Sequence, residues 1–368
     1  MAPTKHRFPM LLLQLLCSYS AEAAAMINST TAPCLPDESS SLLQLKSSMI
    51  ACWLANGLSS WQAGTDYCQW VGIICDTGSG RVISLDLDGF NLMSYRLHPA
   101  LFNLTSLRNP SLASNDFTGV RLPASGFERL TDITHLNFSH TYFIGQIPIG
   151  ISRLKNLVTL DFSGSYGGLY FQEPSFQTFM AANMSNLREL FLDSMDLSSS
   201  GSTWYTALGQ SAPQLQILSL PRCFLSGSIH PSFSRLRSLT LINFAENPEL
   251  SGKVPEYFSE LSSLMSLDIS DTSFEGQFPT TIFQLKSLRK LDLPSNPMLS
   301  DLNLLGTNFT YDTPLSFGNL TSLQTLSLTT ATMAKELPAL IWLPSLNELD
   351  LEGSGLEKRV LSWVGNLK

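Results

Sequence analysis

Charge is scarce in this sequence: Asp, Glu, Lys and Arg make up only 14% of its 368 residues, and hydrophobic residues 43%. That balance excludes a solvated, disordered chain and leaves ample material for a large core. Basic charge is in deficit. The formal net charge of −8 argues against a nucleic-acid partner, whose phosphates are bound by basic surface, and against anionic lipid. Long apolar runs are absent as well, so no transmembrane segment is expected in this chain; the one short run, Phe8 to Cys17, is too brief for the roughly 30 Å hydrocarbon layer. Motifs of chemistry are missing too: there is no G-x-S-x-G, C-x-x-C or H-E-x-x-H, and no phosphate-cradling glycine loop. Histidines number five; His135 and His140 lie close together but lack a convergent carboxylate or cysteine, so they read as surface residues rather than a metal pair. No catalytic residue, metal or cofactor is expected, and the chain is not read as an enzyme.

What is present begins with an export signal over 1–25. Lys5, His6 and Arg7 precede the apolar run, and small residues at Ala21, Ala23, Ala24 and Ala25 suit signal peptidase. Cleavage removes Lys5, Arg7 and Glu22 and takes the net charge from −8 to −9. Six Asn-X-Ser/Thr sequons, at Asn28, Asn103, Asn137, Asn183, Asn308 and Asn319, then fit a glycosylated chain in an oxidising compartment. The expected location is extracellular.

From Leu85 onward one pattern returns: L-x-x-L-x-L-x-x-N-x-L-x-G-x-x-P with a variable tail. Its clearest copies, Ile133 to Asn156, Leu215 to Ser238 and Leu264 to Ser287, each fill 24 residues. Others start near Leu107, Leu157, Leu187, Leu239, Leu288, Leu299, Leu323 and Leu346. A fixed period of this length specifies a solenoid. Within L-x-L, alternate side chains face opposite ways, so residues such as Leu218 and Leu220 point inward and Ser219 points out. One coil cannot bury its own leucines, and stability comes from stacking. Asn115, Asn247 and Asn296 recur where the chain turns and can form a hydrogen-bonded ladder, with Thr141, Thr272 and Cys223 in that place elsewhere. The expected fold is an α/β repeat: a leucine-rich-repeat solenoid with a parallel β-sheet on its concave face. An N-terminal cap over 26–80 precedes an array over 81–368 of about eleven to twelve repeats.

Two features are similar to plant extracellular leucine-rich-repeat proteins. One is the G-x-I-P segment (Gly145 to Pro148, Gly252 to Pro255, Gly276 to Pro279). The other is the cap, with Leu42-Leu43-Gln44-Leu45-Lys46, Leu58-Ser59-Ser60-Trp61 and Asp66 through Cys75. The chain most resembles the receptor-like proteins of plant immunity, including wilt-resistance receptors. That resemblance implies a solenoid that binds a protein, peptide or glycan ligand and signals with a membrane receptor kinase as co-receptor, having no kinase of its own. It also implies a cap disulfide. Tyr67 stands where the family's tandem cysteines begin, Cys68 and Cys75 remain as partners, and Cys34 and Cys52 are left without an assigned pairing. A secreted inhibitor resembling the polygalacturonase inhibitors, and a truncated copy without function, stand as alternatives.

Departures from the period are expected to show as irregularities. Pro110 removes a backbone donor from its strand. Residues 164–184 and 198–212 lengthen their repeats and are read as convex loops in preference to ligand-contacting inserts. Only 11 positions separate Leu288 from Leu299, as though half a coil were missing. At Lys368 the pattern stops before a further L-x-x-L, which reads as a member of the family truncated before its membrane helix. The outward strand positions nominate His135, Asp161, Glu189, Phe191, Asp193, Arg222, Glu246, Asp268, Asp271, Lys290 and Asp292 as the ligand-binding face. Acids predominate there, which favours a positively charged or hydroxyl-rich ligand. Asn137 lies on the same face, and a glycan there would block its surroundings.

Overall fold

The computed structural model describes residues 35–51, 57–166, 168–171, 175–182, 184–293, 296, 321–327 and 345–350. Cys34, Cys52, Leu299 and the sequons at Asn28, Asn183, Asn308 and Asn319 lie outside them.

The cap opens with the helix Pro36–Ser47. Proline in its first turn needs no helical N–H, and Asp37 and Glu38 at the start with Lys46 at the end oppose the helix dipole. Leu42 and Leu45 are fully buried against the first coil. Trp61 stacks on Trp70, and Lys46 Nζ donates to the Trp61 carbonyl at 2.7 Å. Cys68 and Cys75 form the expected disulfide, with Cα atoms 5.5 Å apart.

Tyr67 is no defect. Its side chain is completely buried; the hydroxyl donates to the Gly80 carbonyl at 2.7 Å and accepts from the Leu35 amide at 3.1 Å. Glu38 Oε2 lies 3.3 Å from the same hydroxyl and accepts the Val82 amide at 2.8 Å. Burial pushes the Glu38 carboxyl above its ordinary value, with the Val82 amide and the Arg81 charge opposing. A tyrosine network thus joins the cap helix to the first repeat strand.

Twelve described strands form one sheet whose spatial order is the chain order, from Ile73–Cys75 to Glu348–Asp350. The first pair is antiparallel and the rest are parallel, so each coil adds one strand beside the last. In the seven strands from His135–Asn137 to Lys290–Asp292 the central residue of the triplet is buried and the flanking two turn outward: Leu136, Leu160, Leu190, Leu218, Ile242, Leu267 and Leu291 are at most 1% exposed. Fully burying one such side chain contributes roughly 2 kcal/mol. Phenylalanines fill the space behind, with Phe138 packed against Phe127, Phe143 and Phe162. On the convex side short 3-10 turns, such as Pro231–Arg235 and Glu256–Glu260, return the chain.

The ladder satisfies the backbone that each turn leaves bare. Asn247 Nδ2 donates to the carbonyls of Leu220, Phe244 and Ala245, while its Oδ1 accepts from the amides of Cys223 and Leu225. Asn115 does the same work one end of the array away. Cys223 is a buried thiol at a ladder position, its Sγ 3.0 Å from the Leu192 carbonyl, and burial raises its pKa well above the usual range.

Pro110 enters its strand, Asn109–Ser111, but the pairing to the next strand retains a single registered pair, Ser111 with Asn137. The lengthened coils are not bare loops. Residues 169–180 supply the short strand Leu169–Tyr170 and the helix Phe176–Met180, and the helix Trp204–Ser211 forms in the second insert. Phe171, Phe176, Phe179 and Trp204 enter the core. Past Leu288 the interval is irregular, as expected: Leu291 pairs directly with Leu326, 35 positions on, where Leu267 pairs with Leu291 after 24, and the short repeat at Leu299 lies outside the described residues. The sheet therefore passes from Lys290–Asp292 to Thr325–Ser327 without an intervening strand.

Candidate functional site

The strand register sorts the outward residues into columns. The first-position column runs His135, Thr159, Glu189, Ile217, Leu241, Ser266, Lys290, and the third-position column Asn137, Asp161, Phe191, Ser219, Asn243, Asp268, Asp292. Successive members stand about 4.8 Å apart. Of the nominated residues, His135, Asp161, Glu189, Phe191, Asp268, Lys290 and Asp292 lie in these columns. Asp193 follows two positions after Phe191. Arg222, Glu246 and Asp271 occupy the turn beyond, where the backbone is left-handed (φ 56, 57 and 51°).

Asp161, Glu189 and Asp193 form one group. Glu189 Oε2 accepts from Thr159 Oγ1 at 2.8 Å, and Asp161 Oδ1 accepts from the Ser163 amide at 2.8 Å. Desolvation raises the pKa of Asp161, against hydrogen bonds from Ser163 and the nearby His140. Burial pushes the Asp193 carboxyl up to about 6, with Ser219 donating to it and the charge on Asp161 adding to the rise. Its Oδ1 is buried with no hydrogen-bond partner. Among the described residues no ion pair neutralises any of the three.

Some four strands away, roughly 19 Å at sheet spacing, Asp268 and Asp292 face each other across adjacent strands. Here Lys290 Nζ sits 2.6 Å from Asp292 Oδ2 and 3.9 Å from Asp268 Oδ2. Desolvation still raises Asp268, and Asp292 adds to it. Between the groups Phe191, Ile217 and Leu241 make a half-buried apolar saddle. Arg222 Nε and Glu246 Oε2 close a 2.6 Å pair at the edge of the face, both well exposed. His135 is exposed, its Nδ1 2.8 Å from Thr134 Oγ1. No group of three or more His, Cys, Asp or Glu able to hold a metal occurs among the described residues.

Asn137 is the sheet neighbour of Asp161, and its Oδ1 accepts from the amide and hydroxyl of Ser139, its own sequon serine. A glycan on Asn137 would stand beside Asp161.

Sequence reasoning met Tyr166 only as an aromatic of the first lengthened segment and passed over the column to which it belongs. Five positions past the third-column residue stand Tyr142, Tyr166 and Phe224, 42%, 62% and 57% exposed and all left-handed (φ 57, 47 and 55°). Non-glycine residues pay roughly 1–2 kcal/mol there. Tyr142 and Tyr166 stack, centroids 5.8 Å apart and 14° from parallel. The signal was legible only as aromatics at a fixed offset from the ladder position, which is Thr141, Ser165 and Cys223 in these coils. Gly164 has no side chain because the His140 ring fills that space: a Cβ would meet His140 Nδ1.

The cap matches the leucine rich repeat N-terminal domain over residues 35–76. Receptor-like protein 6 of Arabidopsis thaliana is 34% identical over 76% of this chain and 30% of its own length. The receptor-like protein Cf-9 homolog of Solanum lycopersicum is 30% identical over 62% of this chain and 26% of its own. The chain thus spans about a third or less of the curated relatives it matches. Among solved structures, the ectodomain of the Arabidopsis receptor kinase HAESA, in complex with an extended IDA peptide hormone, superposes with a TM-score of 0.68 at 27% identity, covering 84% of this chain and 47% of that one. A plant ice-binding protein shares the fold at 22% identity, TM-score 0.59, over 88% of this chain and 97% of its own. One fold therefore serves unlike functions, and function must be argued from the face itself.

Proposed function

We propose that this chain, which belongs to the plant leucine-rich-repeat receptor-like proteins, recognises a peptide ligand bearing positive charge on the concave face of its solenoid. It works outside the cell, in defence signalling, beside a membrane receptor kinase that serves as co-receptor and supplies the kinase activity. The export signal, the sequons and the cap disulfide support an extracellular setting. Relatives named as receptor-like proteins, and a fold neighbour solved with a peptide hormone, support recognition rather than catalysis.

One observation carries the reading: Asp161, Glu189 and Asp193 share one patch of the face with no ion-pair partner among the described residues, beside the apolar saddle of Phe191, Ile217 and Leu241. A basic side chain would supply the missing charge while its neighbours cover the saddle. Specificity and on-rate follow from such complementarity. The test is to secrete the full chain from plant cells and measure binding of synthetic basic, acidic and neutral peptides and of cell-wall oligosaccharides. Selective, salt-sensitive capture of basic peptides, lost in Asp161→Asn/Asp193→Asn, is expected. Capture of oligosaccharides alone, or equal binding by that variant, would overturn it.

A further inference from the structure

Tyr142, Tyr166 and Phe224 are unexplained by the solenoid. Their rings stand outside the leucine core, and their offset from the strand places them on the rim beside the concave face. Most large aromatics here, among them Phe138, Phe162, Phe233 and Trp204, are buried in the interior. Two observations connect the rim to the acids. His140, two residues before Tyr142, lies near enough to Asp161 and Asp193 to lower the pKa of both, and its ring rests on Gly164, two residues before Tyr166. Further along, Arg222 lies near enough to Tyr166 to feel its hydroxyl, so one guanidinium of the chain itself already approaches this rim.

We propose that the stacked Tyr142–Tyr166 pair, with Phe224 beyond it, is a shelf that docks an arginine side chain of the ligand, holding its stem and guanidinium plane against ring faces while the charge points to Asp161 and Asp193. Resting on the peptide-recognition reading, this names the side chain that the site selects. Stacked tyrosines attract a cation through the negative faces of their rings. A planar, weakly hydrated guanidinium lies flat on such a face, whereas a lysine ammonium offers only a point charge. Charge fixes the sign of the occupant, since the neighbouring carboxylates have no ion-pair partner among the described residues and the whole chain is acidic. The shelf therefore discriminates arginine from lysine, which the acids alone do not.

The experiment uses the full secreted chain after enzymatic removal of N-linked glycans, so that nothing on Asn137 intervenes. The probes are twelve-residue peptides of alternating arginine and glycine, lysine and glycine, or glutamate and glycine, titrated by calorimetry. The arginine peptide should bind most tightly. Tyr142→Ala/Tyr166→Ala should weaken it about tenfold and abolish the preference over lysine, and Tyr142→Phe/Tyr166→Phe should keep both, because the ring face rather than the hydroxyl makes the contact. Both tyrosines are exposed and the variants keep the chain's charge, so lost folding and lost bulk electrostatics are controlled by an unchanged melting temperature and an unchanged affinity for the lysine peptide. Arginine affinity unchanged in the alanine variant, while Asp161→Asn/Asp193→Asn loses it, would overturn the shelf and leave peptide recognition standing. Failure of both the arginine and the lysine peptide to bind the unmutated chain would overturn both, and failure of the arginine peptide alone would overturn the shelf.

Discussion

Two acid groups lie on the same sheet and differ in one respect. Around Asp161 and Asp193 the carboxylates are held by serine and threonine hydroxyls and backbone amides, and no lysine or arginine among the described residues pairs with them. Around Asp268 and Asp292 the same strand positions recur with Lys290 between them. The fold treats both much alike, since Asp161, Asp268 and Asp292 each end a strand triplet beside a buried leucine and Asp193 follows its own triplet by two positions. Only the second carries its own counter-ion. A charge that the chain compensates adds to the integrity of the sheet, whereas one left uncompensated lowers stability and is available to something else.

The largest expected effect tests that contrast by sign. Asp193→Asn should stabilise the protein at pH 7.5 by about 2 kcal/mol, because the folded state no longer holds a carboxylate whose pKa stands near 6. An acid with a raised folded pKa takes up a proton more readily folded than unfolded. Its contribution to stability is therefore greatest at low pH, declines as pH rises from the unfolded pKa of about 4 to the folded value, and is flat above it. Thermal melts between pH 4 and 8 should show the variant gaining on the parent across that window and no further beyond it. Asp292→Asn should destabilise instead, since it strips Lys290 of its 2.6 Å partner. If both variants move the melting temperature the same way, the comparison between the two groups fails.

The contrast could not be read from the sequence, although most of the scaffold could. Inward leucines, the asparagine ladder and the outward columns follow from a 24-residue period and from strand alternation, both local properties, whereas the Cys68–Cys75 bridge was implied by the resemblance of the cap. Lys290 and Asp268 lie 22 positions apart in adjacent strands, and their pairing depends on side-chain direction that periodicity does not encode. Burial misled in two places. Trp204 and Phe171, in segments read as convex loops, turn into the core because their inserts form short elements with apolar faces of their own. Tyr67, set down as a missing cysteine, ties Leu35 and Gly80 by hydrogen bonds that only a side chain of its length can reach. Tyr142 and Phe224 escaped notice because exposure in a left-handed turn has no periodic signature.

A smaller effect sharpens the same comparison by making one group resemble the other. Lys290→Met removes the cation and keeps the stem that packs between Asp268 and Asp292. Because Lys290 is nearly half exposed, the loss should be modest, about 1 kcal/mol, from the melting midpoint in urea at neutral pH. Its informative consequence is binding. With Asp268 and Asp292 uncompensated, the variant should acquire weak affinity for lysine peptides that Asp161→Asn/Asp193→Asn does not remove. It should show no arginine preference, because no exposed tyrosine pair is described beside this group. A gain of arginine preference there would show that uncompensated acids suffice and would assign the Tyr142–Tyr166 stack no part in selectivity.

The smallest effect belongs to the most eye-catching contact. Arg222 and Glu246 approach to 2.6 Å, as close as Lys290 and Asp292, yet both are far more exposed than Asp292. Short distance alone does not make an ion pair strong. Water screens exposed charges, and two long side chains lose entropy in meeting. Arg222→Ala, Glu246→Ala and the double variant should each change stability by less than about 0.5 kcal/mol, with a coupling energy near zero at 0.15 M salt. A coupling of several times that size in the double-mutant cycle would mean that the rim is drier than its exposure indicates. The division between compensated and uncompensated charge would then extend past the two strand columns to the turn that carries Phe224.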